Sequence, residues 1–177
     1  MAGKFAQLHK QIWADPDWRT LSASEQWLYL HLVSRQELTW AGTCDWFPKR
    51  ICQVAAGLSV DEVTLAASVL QAKGYIVVDD ADDRVLIRSF HRNQEGMLRQ
   101  PNMGTAVLTA WLEVESLTLR GVITYELLRL RTEEPKWASW ERMLPVLEAV
   151  PLDPRQFRVG PVGLPPAMAG GANEPPF

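Results

Sequence analysis

The sequence contains few of the residues that cross-link a small protein, bind metal ions or anchor a chain in a membrane. It has two cysteines and three histidines among 177 residues, and their spacing matches no metal-ligand pattern. We therefore expect no metal and no cofactor, and we predict that Cys44 and Cys52 are buried free thiols. No stretch approaches the roughly 20 apolar residues of a membrane span, and the opening letters MAGKFAQLHKQ lack the apolar core of a signal peptide. These absences predict a cytoplasmic protein that does not contact a membrane.

Catalytic motifs and positive charge are also scarce. The carboxylates of Asp15, Asp17 and residues 79–83 are joined by no nucleophile, glycine-rich phosphate loop or histidine at a useful spacing, so we expect no enzyme. The net charge is −3, and residues 1–100 hold 11 lysines and arginines against 12 aspartates and glutamates. Because a nonspecific nucleic-acid binder is usually basic, this balance argues against that class.

The stretch from Pro48 to Arg88 organises the chain. The letters PKRICQVAA predict a helix with Pro48 in its first turn, and Gly57 predicts its end. Ser59 and Glu62 then form a capping-box pattern that predicts a second helix, which Gly74 ends. The turn between the helices is about three residues, a length typical of a helix-turn-helix pair.

A β-hairpin is predicted directly after this pair. Residues 75–78 are apolar and mostly β-branched, residues 79–83 are an aspartate-rich loop, and residues 85–87 supply the returning strand. An earlier capping box, Ser22 with Glu25, predicts a buried helix, and Gly42–Asp45 predicts a third short strand. The order helix, strand, helix, helix, strand, strand is that of a winged helix-turn-helix domain of the α+β class, in which the hairpin is the wing.

The remainder of the chain is predicted to be helical and then disordered. Phe90–Gln100 is predicted to be a polar loop, and helices are predicted from Pro101 and after Ser116, packed on the winged core or on a second copy. A short amphipathic helix is predicted from Pro135, and the proline- and glycine-rich end is predicted to be disordered. The predicted units are a winged domain (1–95), a helical extension (96–131), the amphipathic helix (132–150) and the tail (151–177).

Four segments carry a resemblance to a known family. They are IWADPDWRTLSASEQWLYLHLVS, AGTCDWFPKRI, LQAKGYIVVDDADDRVLIRSFHR and QPNMGTAV. Over residues 4–131 the chain resembles a family of phage and prophage winged-helix proteins often placed among replication genes, and it is similar to the N-terminal domain of phage replication initiators. The resemblance implies sequence-directed binding to double-stranded DNA, in replication initiation or transcriptional regulation.

The residue pattern suggests which side chains would contact DNA. In winged-helix domains the second helix of the pair enters the major groove, and side chains near its start meet base edges. The predicted phosphate and base contacts are Lys49, Arg50, Thr64, Ser68, Gln71, Lys73, Arg88 and Arg92. Two features oppose them, because the outward surface of the second helix has no cation before Lys73 and phosphate would repel the wing aspartates. A homodimer would offset a weak half-site by joining two.

A protein-binding role remains open as the alternative. The outward side chains Leu65 and Val69 suit an apolar interface better than a DNA groove, and they predict a dimer contact or a replication or host protein as partner. The stripe formed by Trp137 and Trp140 either docks a partner or folds back on the chain's own core. We favour the second interpretation of the stripe, because exposed aromatic side chains are costly.

Overall fold

The computed structural model of the chain describes residues 8–158. Over this range the fold is α+β, with one antiparallel sheet of three short strands and eight α-helices around it. The strands are β1 (Thr43–Asp45), β2 (Ile76–Asp79) and β3 (Arg84–Ile87). The helices are α1 (Ala23–Val33), α2 (Pro48–Ile51), α3 (Val60–Ala72), α4 (Phe90–Asn93), α5 (Glu95–Leu98), α6 (Pro101–Leu112), α7 (Leu117–Glu133) and α8 (Leu144–Leu147). No helix among the described residues is long and apolar enough to cross a membrane.

Both predicted capping boxes are confirmed. At the start of α1 the Glu25 amide donates to the Ser22 hydroxyl, and the Glu25 carboxylate accepts from the Ser22 amide at 2.8 Å. Ser59 and Glu62 form the same reciprocal pair at the start of α3, with the carboxylate again 2.8 Å from the amide. These bonds satisfy amides that a helix N-terminus otherwise leaves unpaired, so the sequence fixes where both helices begin.

The helix before α3 is shorter than the sequence predicts. The α-helical part ends at Ile51, and a 3-10 turn continues over Cys52–Val54. Gly57 then adopts φ +81°, a conformation that side chains rarely tolerate, and turns the chain toward α3. The helix pair is therefore present, but its first member is a single turn extended by a 3-10 turn.

The hairpin and the third strand are confirmed. The strand order is β1-β3-β2, and both pairings are antiparallel. Thr43 pairs with Leu86 and Ile76 with Ile87, so β3 is the central strand. Cys44 is fully buried on β1, and burial raises the pKa of its thiol to about 12. Cys52 is only half-buried, so the prediction of two buried thiols is confirmed for Cys44 alone.

Both faces of the sheet are buried, and this arrangement joins the two helical halves of the molecule. Side chains alternate along a strand, so neighbouring residues serve opposite faces. Val85 and Ile87 pack with α1 and α3 in one core, whereas Val77 and Leu86 pack with α6 and α7 in a second core. The sheet is thus the middle of three layers, and the later helices pack on it within the same chain.

Residues 90–100 are helical rather than a polar loop. The chain forms α4 and α5 here, and Phe90, His91 and Leu98 are buried. The sequence did not predict these helices, because the segment is mostly polar and two four-residue helices are too short to show a helical period. The predicted loop was wrong.

The end of the described chain also differs from prediction. Residues 138–143 form a 3-10 helix and only 144–147 are α-helical, where one amphipathic helix was predicted. Residues 151–158 were assigned to a disordered tail but are ordered, since the Leu152 amide donates to the Gly121 carbonyl at 2.9 Å and Pro154 is buried. The rest of the predicted tail, residues 159–177, lies outside the described residues.

Candidate nucleic-acid interface

Lys49 and Arg50 stand at the start of the helix pair on an anchored segment. Trp46 is buried, its backbone N–H donates to the Asp83 carbonyl at 2.7 Å, and its indole N–H donates to an Asp80 carboxylate oxygen at 3.2 Å. Lys49 and Arg50, three and four residues later, have exposed side chains. The Arg50 guanidinium also lies over its neighbouring Phe47 ring, 4.6 Å from the centroid. Of the predicted phosphate contacts, these two are the most accessible.

The outer face of α3 presents small polar side chains beside one large apolar one. Thr64 is exposed and Ser68 half-buried, and their hydroxyls donate to the carbonyls of Val60 (2.9 Å) and Thr64 (3.0 Å). Each hydroxyl oxygen keeps a lone pair with which it can accept a hydrogen bond from a base amino group. Hydrogen bonds from Ser59 lower the pKa of Glu62, so this carboxyl is held in its charged form at the start of the helix.

Gln71 and Lys73 do not fit the roles predicted for them. The Gln71 side-chain carbonyl accepts from the Val78 backbone N–H at 2.7 Å, which satisfies the outer edge of β2. Lys73 is half-buried and donates to the Thr20 hydroxyl. Both side chains form hydrogen bonds within the chain, so we leave Gln71 and Lys73 out of the DNA contacts proposed below.

Arg88 is a structural residue rather than a phosphate contact. Its side chain is only 4% exposed, and its guanidinium donates twice to one Glu126 carboxylate oxygen, at 2.5 and 2.8 Å. It also donates to the Gly74 carbonyl at 2.7 Å. The prediction for Arg88 was therefore wrong, because a buried guanidinium bonded on two sides cannot reach DNA.

Arg92 is similarly paired, but nearer the surface. Its guanidinium donates to both Glu133 carboxylate oxygens, at 2.5 and 2.9 Å, and these hydrogen bonds lower the pKa of Glu133. The pair neutralises the charge that Arg92 would offer to phosphate, so we leave Arg92 out of the DNA contacts proposed below. Glu126 and Glu133 lie seven residues apart on one side of α7, a spacing visible in the sequence.

The aspartate-rich tip of the hairpin is held in place by neighbouring segments. Asp79 accepts from the Ser116 hydroxyl at 2.5 Å, and Asp80 accepts from the Trp46 indole at 3.2 Å. Asp83 adopts φ +50°, and its carbonyl accepts from Trp46. Since α6 and α7 also cover one face of the hairpin, only the acidic tip is left to approach a DNA backbone.

Three of the four predicted interface residues pack inside the chain. Trp137 and Trp140 are buried in the second core and stack with ring centroids 5.8 Å apart. Val69 is half-buried against the first core. The favoured interpretation, that the tryptophan stripe folds back on the chain's own core, is confirmed. The docking alternative for Trp137 and Trp140 is wrong, because the extension encloses both rings. Leu65 alone is open, with 56% of its surface exposed.

Comparisons with known proteins add no family assignment. No family model, no curated protein and no solved structure matches this chain. Within residues 8–158, no group of three histidine, cysteine, aspartate or glutamate side chains is placed to hold a metal ion.

Proposed function

We propose that this chain is a winged-helix protein that binds double-stranded DNA through α2 and α3. The supporting observation is the arrangement of the helix pair. The inner face of α3 packs on α1, α2 packs against α3, and the outer face of α3 stays open. Lys49 and Arg50 would hold phosphates, while Thr64 and Ser68 would meet base edges in the major groove. This set keeps the four predicted contacts that the fold leaves accessible.

The role we propose for such binding is replication initiation or transcriptional regulation in a phage or prophage setting. The support is the resemblance of residues 4–131 to phage replication proteins. A homodimer would join two such faces one helical turn apart on the DNA, which offsets the small number of contacts each face offers. A protein acting on DNA in this way would work in the cytoplasm.

The test is a titration of the full chain into fluorescently labelled mixed-sequence duplex DNA, followed by anisotropy from about 50 to 200 mM salt. The variant Lys49→Ala/Arg50→Ala should bind every sequence more weakly. The slope of log K against log salt is negative, and each lost phosphate contact makes it less negative by about 0.9. The slope of the double variant should therefore be about 1.8 less negative than that of the parent chain.

A matched control comes from the other half of the molecule. Arg131 and Lys136 are both exposed, and Arg131→Ala/Lys136→Ala removes the same net charge from α7 and the segment after it. Binding should then stay close to that of the parent chain. If both double variants weaken binding equally, net charge alone is responsible and the proposed interface is wrong.

A second candidate function is protein docking by the same face of α3. The observation that favours it is apolar exposure, since Leu65 and Val54 are 56% and 63% exposed and α3 contains no lysine or arginine. Leu65→Lys separates the two functions. If α3 contacts DNA, the added cation should make the variant bind duplex more tightly than the parent chain does. If α3 docks a second copy, the variant should lose self-association in sedimentation experiments and gain no DNA affinity.

A further inference from the structure

The hairpin tip and the loop between α6 and α7 meet at one end of the molecule. Besides bonding Asp79, the buried Ser116 hydroxyl caps α7 by accepting from the Leu119 backbone N–H at 3.0 Å. The body of α7 packs on β2. Residues 79–83 and 112–117 are therefore neighbouring parts of one surface, which we call the acidic end.

The acidic end is strongly negative. Its two segments contain six carboxylates and no lysine or arginine, and all of these carboxylates except that of Asp79 belong to exposed residues. They are Asp79, Asp80, Asp82, Asp83, Glu113 and Glu115. Two arginines follow these segments. Arg84 pairs with Asp45, whereas Arg120 lies against the second segment, where it donates to the carbonyls of Val114 and Leu112. The six carboxylates still outnumber these two cations.

Two large apolar side chains are exposed within this charged surface. Leu112 ends α6 with 55% of its surface exposed, and Leu117 begins α7 with 77% exposed. The backbone between them is fixed by the Ser116 cap and by Arg120, whose guanidinium lies 5.2 Å from the Trp111 ring centroid. Both leucines therefore lie at the ends of ordered helices, so little conformational entropy is lost when a partner binds them.

We propose that the acidic end docks a basic amphipathic segment of another protein. Lysines and arginines of that segment pair with the carboxylates, and its apolar side chains cover Leu112 and Leu117. Charge complementarity selects this occupant, because the same carboxylates repel nucleic acid and repel the acidic end of a second copy. This docking surface includes none of the side chains proposed to contact DNA.

The experiment uses the full chain and a labelled helical peptide of leucine and lysine, about 15 residues long. Two further peptides carry glutamate in place of lysine or serine in place of leucine. Anisotropy should show tighter binding of the leucine-lysine peptide than of either other peptide. Leu112→Ser/Leu117→Ser should weaken that binding at least tenfold, and Asp82→Asn/Glu113→Gln/Glu115→Gln should weaken it and flatten its salt dependence.

The matched control is Leu144→Ser/Val150→Ser, which removes two exposed apolar side chains outside the acidic end. It should bind the leucine-lysine peptide like the parent chain. An equal loss in this control, or equal binding of the serine-lysine peptide, would overturn the proposal. So would a parent dimer that dissociates in Leu112→Ser/Leu117→Ser, since the occupant would then be a second copy. The charge variants test the same surface if the leucine variant does not fold.

Discussion

Replacing Glu126 with glutamine tests the buried ion pair that connects the end of the hairpin to α7. The side chains of Arg88 and Glu126 are 4% and 11% exposed, and the guanidinium also bonds the Gly74 carbonyl. Glutamine keeps the shape and the accepting oxygen of glutamate but removes the charge. The perturbation therefore removes the Glu126 charge from its buried pair with Arg88 and from its more exposed pair with Arg129, 3.1 Å away.

The expected loss follows from this burial. Removing one partner of a buried pair costs about 3–5 kcal/mol of unfolding free energy. We expect about 3 kcal/mol, the lower end, because the Gly74 carbonyl and the glutamine oxygen still accept from Arg88. For a chain of this length, 3 kcal/mol lowers the melting temperature by roughly 6–12 °C.

Glu133→Gln is a matched control on the same helix. It also breaks an arginine–glutamate pair, but the side chains of Arg92 and Glu133 are 26% and 43% exposed, so the loss should stay below about 1 kcal/mol. Urea unfolding of both variants, followed by circular dichroism, gives the two free energies directly. Arg88→Met/Glu126→Leu should recover most of the loss, because it replaces the buried charges with apolar groups of similar size. Equal losses in the two glutamine variants, or a double variant no more stable than Glu126→Gln, would refute the reasoning.

Two further predictions concern acid stability and helix packing. Burial lowers the pKa of His91 to about 4, while its Nε2–H donates to the Trp40 carbonyl at 2.9 Å. The unfolded chain therefore binds more protons as pH falls from about 6.5 to about 4, so unfolding free energy should drop by about 2 kcal/mol between pH 7 and pH 5. In His91→Gln the loss of unfolding free energy between pH 7 and pH 5 should be about 2 kcal/mol smaller than in the parent chain. If the variant and the parent lose the same amount, His91 is not the group responsible. A methyl group on Gly104 would clash with the Ser139 carbonyl oxygen, so Gly104→Ala should cost about 1–3 kcal/mol in urea unfolding. Gly96 has nothing within 4 Å of the same position, and Gly96→Ala should leave stability equal or slightly higher; a similar loss in both would exclude packing as the cause.

Local signals in the sequence predicted most of the first half of the fold. Both capping boxes place a hydroxyl and a carboxylate three residues apart, so their hydrogen bonds depend only on nearby residues. The hairpin strands were likewise visible from their apolar runs. Residues 90–100 were missed because their burial depends on distant parts of the chain, which no local pattern reveals. Phe90 packs in the first core among residues that come earlier, and Leu98 packs in the second core with helices that come later.

The candidate site was less predictable, for the same physical reason. Exposed positions such as Lys49 and Arg50 follow from helix geometry alone. The pairing of Arg88 and Arg92 depends on carboxylates 38 and 41 residues away. The residues next to Arg88 and Arg92 in the sequence give no sign of this pairing, so both arginines were predicted to be surface charges. Their pairing follows from the packing of α7.

The position of the sheet between two helical layers has a consequence for synthesis on the ribosome. The strands are complete once Ile87 has been made, but the second core that covers Val77 and Leu86 extends to Leu147. At about 5–20 residues per second, the roughly 60 residues in between take about 3–12 s. During that interval we expect the nascent chain to expose an apolar sheet face, the kind of surface that chaperones bind.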